Sequence, residues 1–149
     1  MGLISKVMFW RRRKSVVPVV RLTGVITQSS RLGQRGLSLE AVEPQLKKAF
    51  SIKRAKAVAL IINSPGGSPV QSSLIGQRVR DLATRADVPV LAFCEDVAAS
   101  GGYWLAASAD EIIANPASVI GSVGVVSAGF GFDKAIAKLG VERGVFKVG

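Results

Sequence analysis

Histidine is absent from the 149 residues, and that absence excludes an intact Ser-His-Asp or Cys-His relay and removes the commonest zinc ligand. Cysteine is nearly absent. The one thiol, Cys94, lies in an apolar run with strand character, so it is expected to be buried and structural, and no disulfide can form within the chain. Charged residues make up only 20% against 48% hydrophobic residues. Such a chain buries one substantial core and folds as one domain. Internal repeats and low-complexity linkers are absent as well. No metal or other cofactor is implied.

A continuous membrane-spanning run is also lacking. Residues 112–132 are uncharged for long enough to span a bilayer, but they contain Asn115, Pro116 and four glycines, a poor composition for a helix exposed to lipid. The net charge of +10 is placed unevenly, because residues 1–56 carry 13 Lys and Arg against 2 acidic residues and residues 57–149 carry 7 against 8. Within the basic part, the apolar residues of Met1–Trp10 precede Arg11, Arg12, Arg13 and Lys14. That pattern suits peripheral contact with a membrane through residues 1–14 or a solvated leader. A secretory signal has the opposite order, charge before apolar stretch. A cytoplasmic or peripherally membrane-associated protein is therefore expected, divided into a basic leader over residues 1–15 and an α/β domain over residues 16–149. Nucleic acid is not an expected partner, since the folded body is nearly neutral.

What is present alternates between strand and helix patterns. Strands are expected at Val16–Leu22, with Pro18 marking an edge, at Ala57–Ile62 and at Val88–Cys94. Thr27–Ser38 reads as a surface loop. Helices are expected at Leu39–Ala49, kinked or shifted by Pro44, and at Pro69–Arg85, with Val70, Leu74, Ile75, Val79 and Leu82 on one face. Helix Ser100–Ala107, strands Glu111–Ala114 and Gly124–Ser127, helix Asp133–Leu139 and strand Val141–Val148 complete the series. The order implies a mainly parallel sheet built from βαβ units, with functional residues at the carboxyl ends of strands.

Two of those strand ends carry glycine pairs, Gly66-Gly67 and Gly101-Gly102, the second preceded by Ser100. Brought together by adjacent crossovers, the backbone N–H groups of Gly67 and Gly101 can form an oxyanion hole beside Ser100, which a helix N-terminus favours electrostatically. Ordinary turn glycines satisfy the same spacing. A serine without histidine needs another base, and a desolvated, neutral lysine is the common one. Only Lys134, Lys138 and Lys147 follow Ser100. Lys134 and Lys138 fall at i and i+4 of a helix and read as a solvated face.

The segments Asn63-Ser-Pro-Gly-Gly-Ser68, Ala98-Ala-Ser-Gly-Gly-Tyr-Trp104 and Gly121-Ser-Val-Gly-Val125, in that order, closely resemble the signal peptide peptidase A and SohB-like serine peptidases of the Clp peptidase and crotonase superfold. The resemblance runs from about Val16 to Gly149. It implies that Ser100 is the nucleophile, that backbone amides at Gly67 and Gly101 form the oxyanion hole, and that Ser122 helps hold the catalytic lysine. It further implies a peptide substrate, self-assembly into homo-oligomers and no cofactor. The family's lysine falls roughly 50 residues after the nucleophile, at or just beyond Gly149. Lys147 is the candidate base within the chain, although it aligns with the strand before the lysine-bearing segment. The expected function is that of a serine endopeptidase using a Ser-Lys dyad on peptides such as remnant signal peptides or on membrane-associated proteins, inactive or impaired in this 149-residue chain. The alternative is a non-catalytic peptide-binding or scaffolding domain of the same fold.

Overall fold

The computed structural model describes residues 15–28, 36–124 and Lys138. Ala57 to Ile62 is wholly apolar, and it forms most of strand β2 (Val58–Ser64), whose Val58, Leu60 and Ile62 are fully buried. On its other face Ala59 is buried and Ile61 partly so, and the strand lies inside a parallel sheet. On one side it pairs in parallel with β1 (Val19–Thr23), on the other with β3 (Val90–Ala99). β4 (Glu111–Ala114) continues the sheet beyond β3, giving the order β1-β2-β3-β4, and β5 (Val119–Gly121) joins the far end of β3. Every pairing is parallel, so the connections from β1 to β2, β2 to β3 and β3 to β4 must cross over the sheet, while residues 115–118 lead from β4 directly on to β5 along the same side of β3.

Three helices make those crossovers. α1 (Leu39–Phe50) starts at Ser38, whose hydroxyl accepts from the Ala41 N–H at 3.3 Å. It runs continuously through Pro44, because the missing N–H costs only a bond to the carbonyl of exposed Glu40. α2 (Pro69–Ala86) packs on α1 and on α3 (Gly101–Ala107), and α3 packs against β2 and β3. The core lies between sheet and helices, around Leu22, Ile26, Leu46, Leu60, Ile62, Ile75 and Leu105.

The structure departs from the sequence reading in several places. On α2, Ile75 and Val79 are buried and Leu82 partly so, whereas Val70 and Leu74 are 66% and 40% exposed. The buried stripe instead includes Ser72 and Gly76, small residues that admit α3, with Trp104 Cδ1 3.6 Å from the position of a Cβ on Gly76. β3 does not stop at Cys94, since the exposed pair Glu95 and Asp96 marks a bulge inside a longer strand. Thr27–Ser38 is not surface throughout: Leu37 is buried and exchanges backbone bonds with Val25 and Thr27. Gly124 is not in a strand, and Val119–Gly121 forms one that hydrophobicity did not reveal. Residues 1–14, the rest of the strand expected at Gly124–Ser127, the helix expected at Asp133–Leu139 apart from helical Lys138, and the strand expected at Val141–Val148 lie outside the described residues.

Cys94 is buried as expected, and burial pushes its thiol above the ordinary range. That favours a packed thiol over a reactive thiolate.

Candidate active site

The site is assembled from two strand-to-helix turns that touch. In the first, β2 ends at Ser64 and the chain passes through Gly66 at φ +95° and Gly67 at φ +145°, before Ser68 caps α2. The Ile26 N–H donates to the Gly66 carbonyl at 2.8 Å, and the Ser68 N–H donates to the Ile26 carbonyl at 2.8 Å. A Cβ on Gly67 would collide with the Ile26 carbonyl oxygen, so glycine is required there for approach as well as for φ. The Gly66 carbonyl and the Gly67 N–H share one planar trans peptide and point in opposite directions. Fixing the carbonyl on Ile26 therefore turns the Gly67 N–H away from it, and among the described residues that N–H has no acceptor.

In the second turn, the β3 bulge decides where the serine goes. Ile62 pairs with Cys94 but Ser64 pairs with Ala98, so β3 spends four residues where β2 spends two. Across the bulge the Asn63 side chain stands in for the missing ladder: its Nδ2 donates to Asp96 Oδ2 at 3.0 Å and its Oδ1 accepts from the Val97 N–H at 3.3 Å. The Ser118 hydroxyl ties down the other side by donating to the Glu95 carbonyl at 2.6 Å. Past the bulge β3 changes partner, from β4 over Leu91–Cys94 to β5 over Val97–Ala99.

Ser100 follows immediately, at φ +51° and ψ −120°, a region L residues rarely occupy. Its N–H donates to the Gly121 carbonyl at 2.7 Å and its carbonyl accepts from the Trp104 N–H at 3.1 Å. Its hydroxyl makes no capping bond to α3. The Gly101 N–H, at the start of that helix, likewise has no acceptor among the described residues.

The two turns are in direct contact. A Cβ built on Gly66 would stand 2.7 Å from the Gly101 nitrogen and 2.9 Å from the Ser100 Cβ. Ser100, Gly67, Gly101, Pro69, Trp104, Val123 and Gly124 line one cavity of about 270 Å³. Ser122 is exposed at φ +51°, one residue past the Ala99–Gly121 pair, and so flanks Ser100. The structure thus brings Ser100, Gly67, Gly101 and Ser122 to one end of the sheet. Lys147 and Lys134 lie outside the described residues, and Lys138 is exposed on a helix. None of the seven lining side chains or backbones accepts a proton at neutral pH.

Sequence reasoning missed Asn63, Ser118 and Ile26 as supports of this site. Asn63 was visible as part of a strand-end motif, but its side-chain partners belong to a bulge that no periodicity announces. Ile26 reads as one apolar residue beside a loop, and its contribution is entirely backbone.

The model of peptidase family S49 matches residues 83–149. Over 131 residues the chain is 35% identical to the serine protease SPPA, chloroplastic, of Arabidopsis thaliana, a match covering 85% of this chain and 19% of that protein. It is also 51% identical over 150 residues to a protein of Brucella abortus (strain 2308) named Na(+)/H(+) antiporter NhaA, covering 99% of this chain and 20% of that protein. The chain thus spans about a fifth of the length of these two relatives. Among the described residues no helix is long and apolar enough to cross a membrane. Among solved structures, the membrane-bound stomatin-specific protease 1510-N superposes with a TM-score of 0.56 at 22% identity, over 78% of this chain and 54% of that one. That likeness establishes the fold. Together with the α/β sheet and the three motifs around Ser100, these matches show a chain similar to the signal peptide peptidase A-like proteases, with residues 83–149 matching peptidase family S49.

Proposed function

We propose that the chain carries the nucleophile and the oxyanion hole of a serine endopeptidase. The observation that carries this reading is a serine held at positive φ whose hydroxyl caps nothing, beside two N–H groups that have no acceptor among the described residues, at one cavity. Ser100 Oγ attacks the scissile carbonyl carbon, and the oxygen that becomes negative is held by the Gly67 and Gly101 N–H groups. The hydroxyl proton passes to a neutral lysine, which returns it to the leaving amine; water then cleaves the acyl-enzyme. That lysine is Lys147 or one in sequence continuing past Gly149, and Ser122 orients it. Pro69, Trp104 and Val123 give the cavity apolar walls suited to small apolar side chains at the cut, as in remnant signal peptides. Self-assembly and membrane contact through residues 1–14 belong to the same reading.

Extending the chain past Gly149 with a lysine-bearing segment should produce hydrolysis of a fluorogenic alanine-rich peptide that disappears in Ser100→Ala. Hydrolysis that survives the substitution overturns the proposal. The second reading is a peptide-binding domain of the same fold that does not cleave; the described residues that line the cavity hold no proton acceptor. Covalent labelling of Ser100 by a peptidyl phosphonate in the unextended chain would count against that one.

A further inference from the structure

We infer that Ser64 is a positioning residue for the oxyanion hole, its hydroxyl rather than its volume setting where the Gly67 N–H points. Ser64 closes β2 and is 0% exposed. Its hydroxyl donates to the Gly24 carbonyl at 2.7 Å and accepts from the Gly66 N–H at 3.2 Å. Its own carbonyl is the surface against which Gly102 packs, since a Cβ on Gly102 would collide with it. One buried serine therefore touches three segments: the turn after β1, the loop that carries Gly67, and the first turn of α3 that follows Ser100.

The need for such a tie follows from the loop itself. Two successive glycines at positive φ have more accessible conformations than any other dipeptide, and rotation of the peptide between them would turn the Gly67 N–H out of the cavity. That peptide is held on its carbonyl side by the Ile26 N–H, and the peptide before it is held on its N–H side by Ser64 Oγ. Both anchors depend on the same stretch of chain, because Ser64 also fixes Gly24, two residues before Ile26. Removing the hydroxyl would leave the part-buried Gly24 carbonyl and the buried Gly66 N–H without this partner, and the loop would shift to hydrate them. The Gly101 N–H, held by α3, would stay where it is. One donor would be lost and the other kept.

The inference rests on the reading of Gly67 N–H as an oxyanion donor, and the test separates the two. The probe is an alanyl-alanine boronic acid: Ser100 Oγ adds to the trigonal boron and releases its proton, and the resulting tetrahedral boronate anion places one oxygen toward the two N–H groups. Ser64→Ala and the volume-conserving Ser64→Cys are each expected to weaken the boronate roughly 10- to 100-fold, less than the ~100- to 1,000-fold cost of deleting a donor. Binding of the corresponding uncleaved peptide, measured in a Ser100→Ala background, should change less than about twofold, because a ground-state carbonyl makes little use of the hole. Unchanged boronate affinity in either folded variant overturns the positioning role, and so does a parallel loss of boronate and peptide affinity, which marks a purely structural serine. If Ser100→Ala alone leaves boronate binding intact, the parent reading fails and this one with it.

Discussion

Ser68 and Ser100 are the N-cap residues of helices in two successive βαβ units, Ser68 just after a glycine pair and Ser100 just before one, yet the fold uses them in opposite ways. Ser68 has φ −57° and its hydroxyl accepts from the Gln71 N–H at 3.3 Å, an ordinary N-cap for a helix of 18 residues. Ser100 has φ +51°, caps nothing with its side chain, and precedes a helix of 7 residues. The first serine spends its hydroxyl on stability. The second is held in an unfavourable backbone conformation by the Gly121 and Trp104 bonds, and its hydroxyl has no partner among the described residues. A serine at a helix N-terminus is thus no indication of reactivity until its backbone and its cap are known.

The largest effect should separate the two serines directly. In a lysine-bearing extended chain, Ser100→Ala should lower peptide hydrolysis by roughly 10⁴-fold or more with little change in melting temperature. Ser68→Ala should leave the rate nearly unchanged and cost about 1 kcal/mol of stability by denaturant unfolding. Exchanged outcomes would break the comparison. A smaller effect distinguishes the neighbouring glycines. Gly67→Ala drives a Cβ into the Ile26 backbone and should cost about 3 kcal/mol or more. Gly101→Ala meets chiefly the Ser72 side chain, so it should cost about 1–2 kcal/mol and be partly rescued by adding Ser72→Ala. No rescue would mean that the second turn is as rigidly packed as the first.

The smallest effect serves as a control remote from both turns. Arg78 makes a paired contact with Glu43 between α1 and α2, at 2.7 and 2.9 Å, with Lys47 alongside at 3.0 Å. Hydrogen bonds from Arg78 and then Lys47 hold the Glu43 carboxyl down to about 2, from 4.5. The folded state therefore gains stability from ionised Glu43 above about pH 4.5, and that gain fades as pH falls toward 2. Glu43→Gln should cost on the order of 1 kcal/mol near neutrality and flatten the acid limb of unfolding between those values. Peptide hydrolysis near neutrality should be unaffected.

Much of the fold was legible because it follows from local pattern. The apolar run at Ala57–Ile62 could only be an interior strand, Ser68-Pro69 announces a helix start, and Glu111–Ala114 has the bounds read from the sequence. Val70 and Leu74 misled because apolar residues at helical spacing look like core, while the true contact face is made close-packed by Ser72 and Gly76. Glu95 and Asp96 misled because adjacent charges usually end a strand. Here they bulge out of it, and Asn63 and Ser118 supply the bonds that the ladder lacks.

By itself, the sequence determined what chemistry was closed, since a chain without histidine has no imidazole base wherever its residues fall. It also determined the alternation of strand and helix and the glycines at two strand ends, because period and backbone freedom are local properties. Only the tertiary structure decided that Gly66 touches Gly101, that β3 changes partner from β4 to β5, and that the Ser68 hydroxyl caps its helix while the Ser100 hydroxyl does not. Those outcomes depend on register and hydrogen bonding between segments 30 or more residues apart for the two turns, as in the Asn63–Val97 bond. No local pattern carries that information.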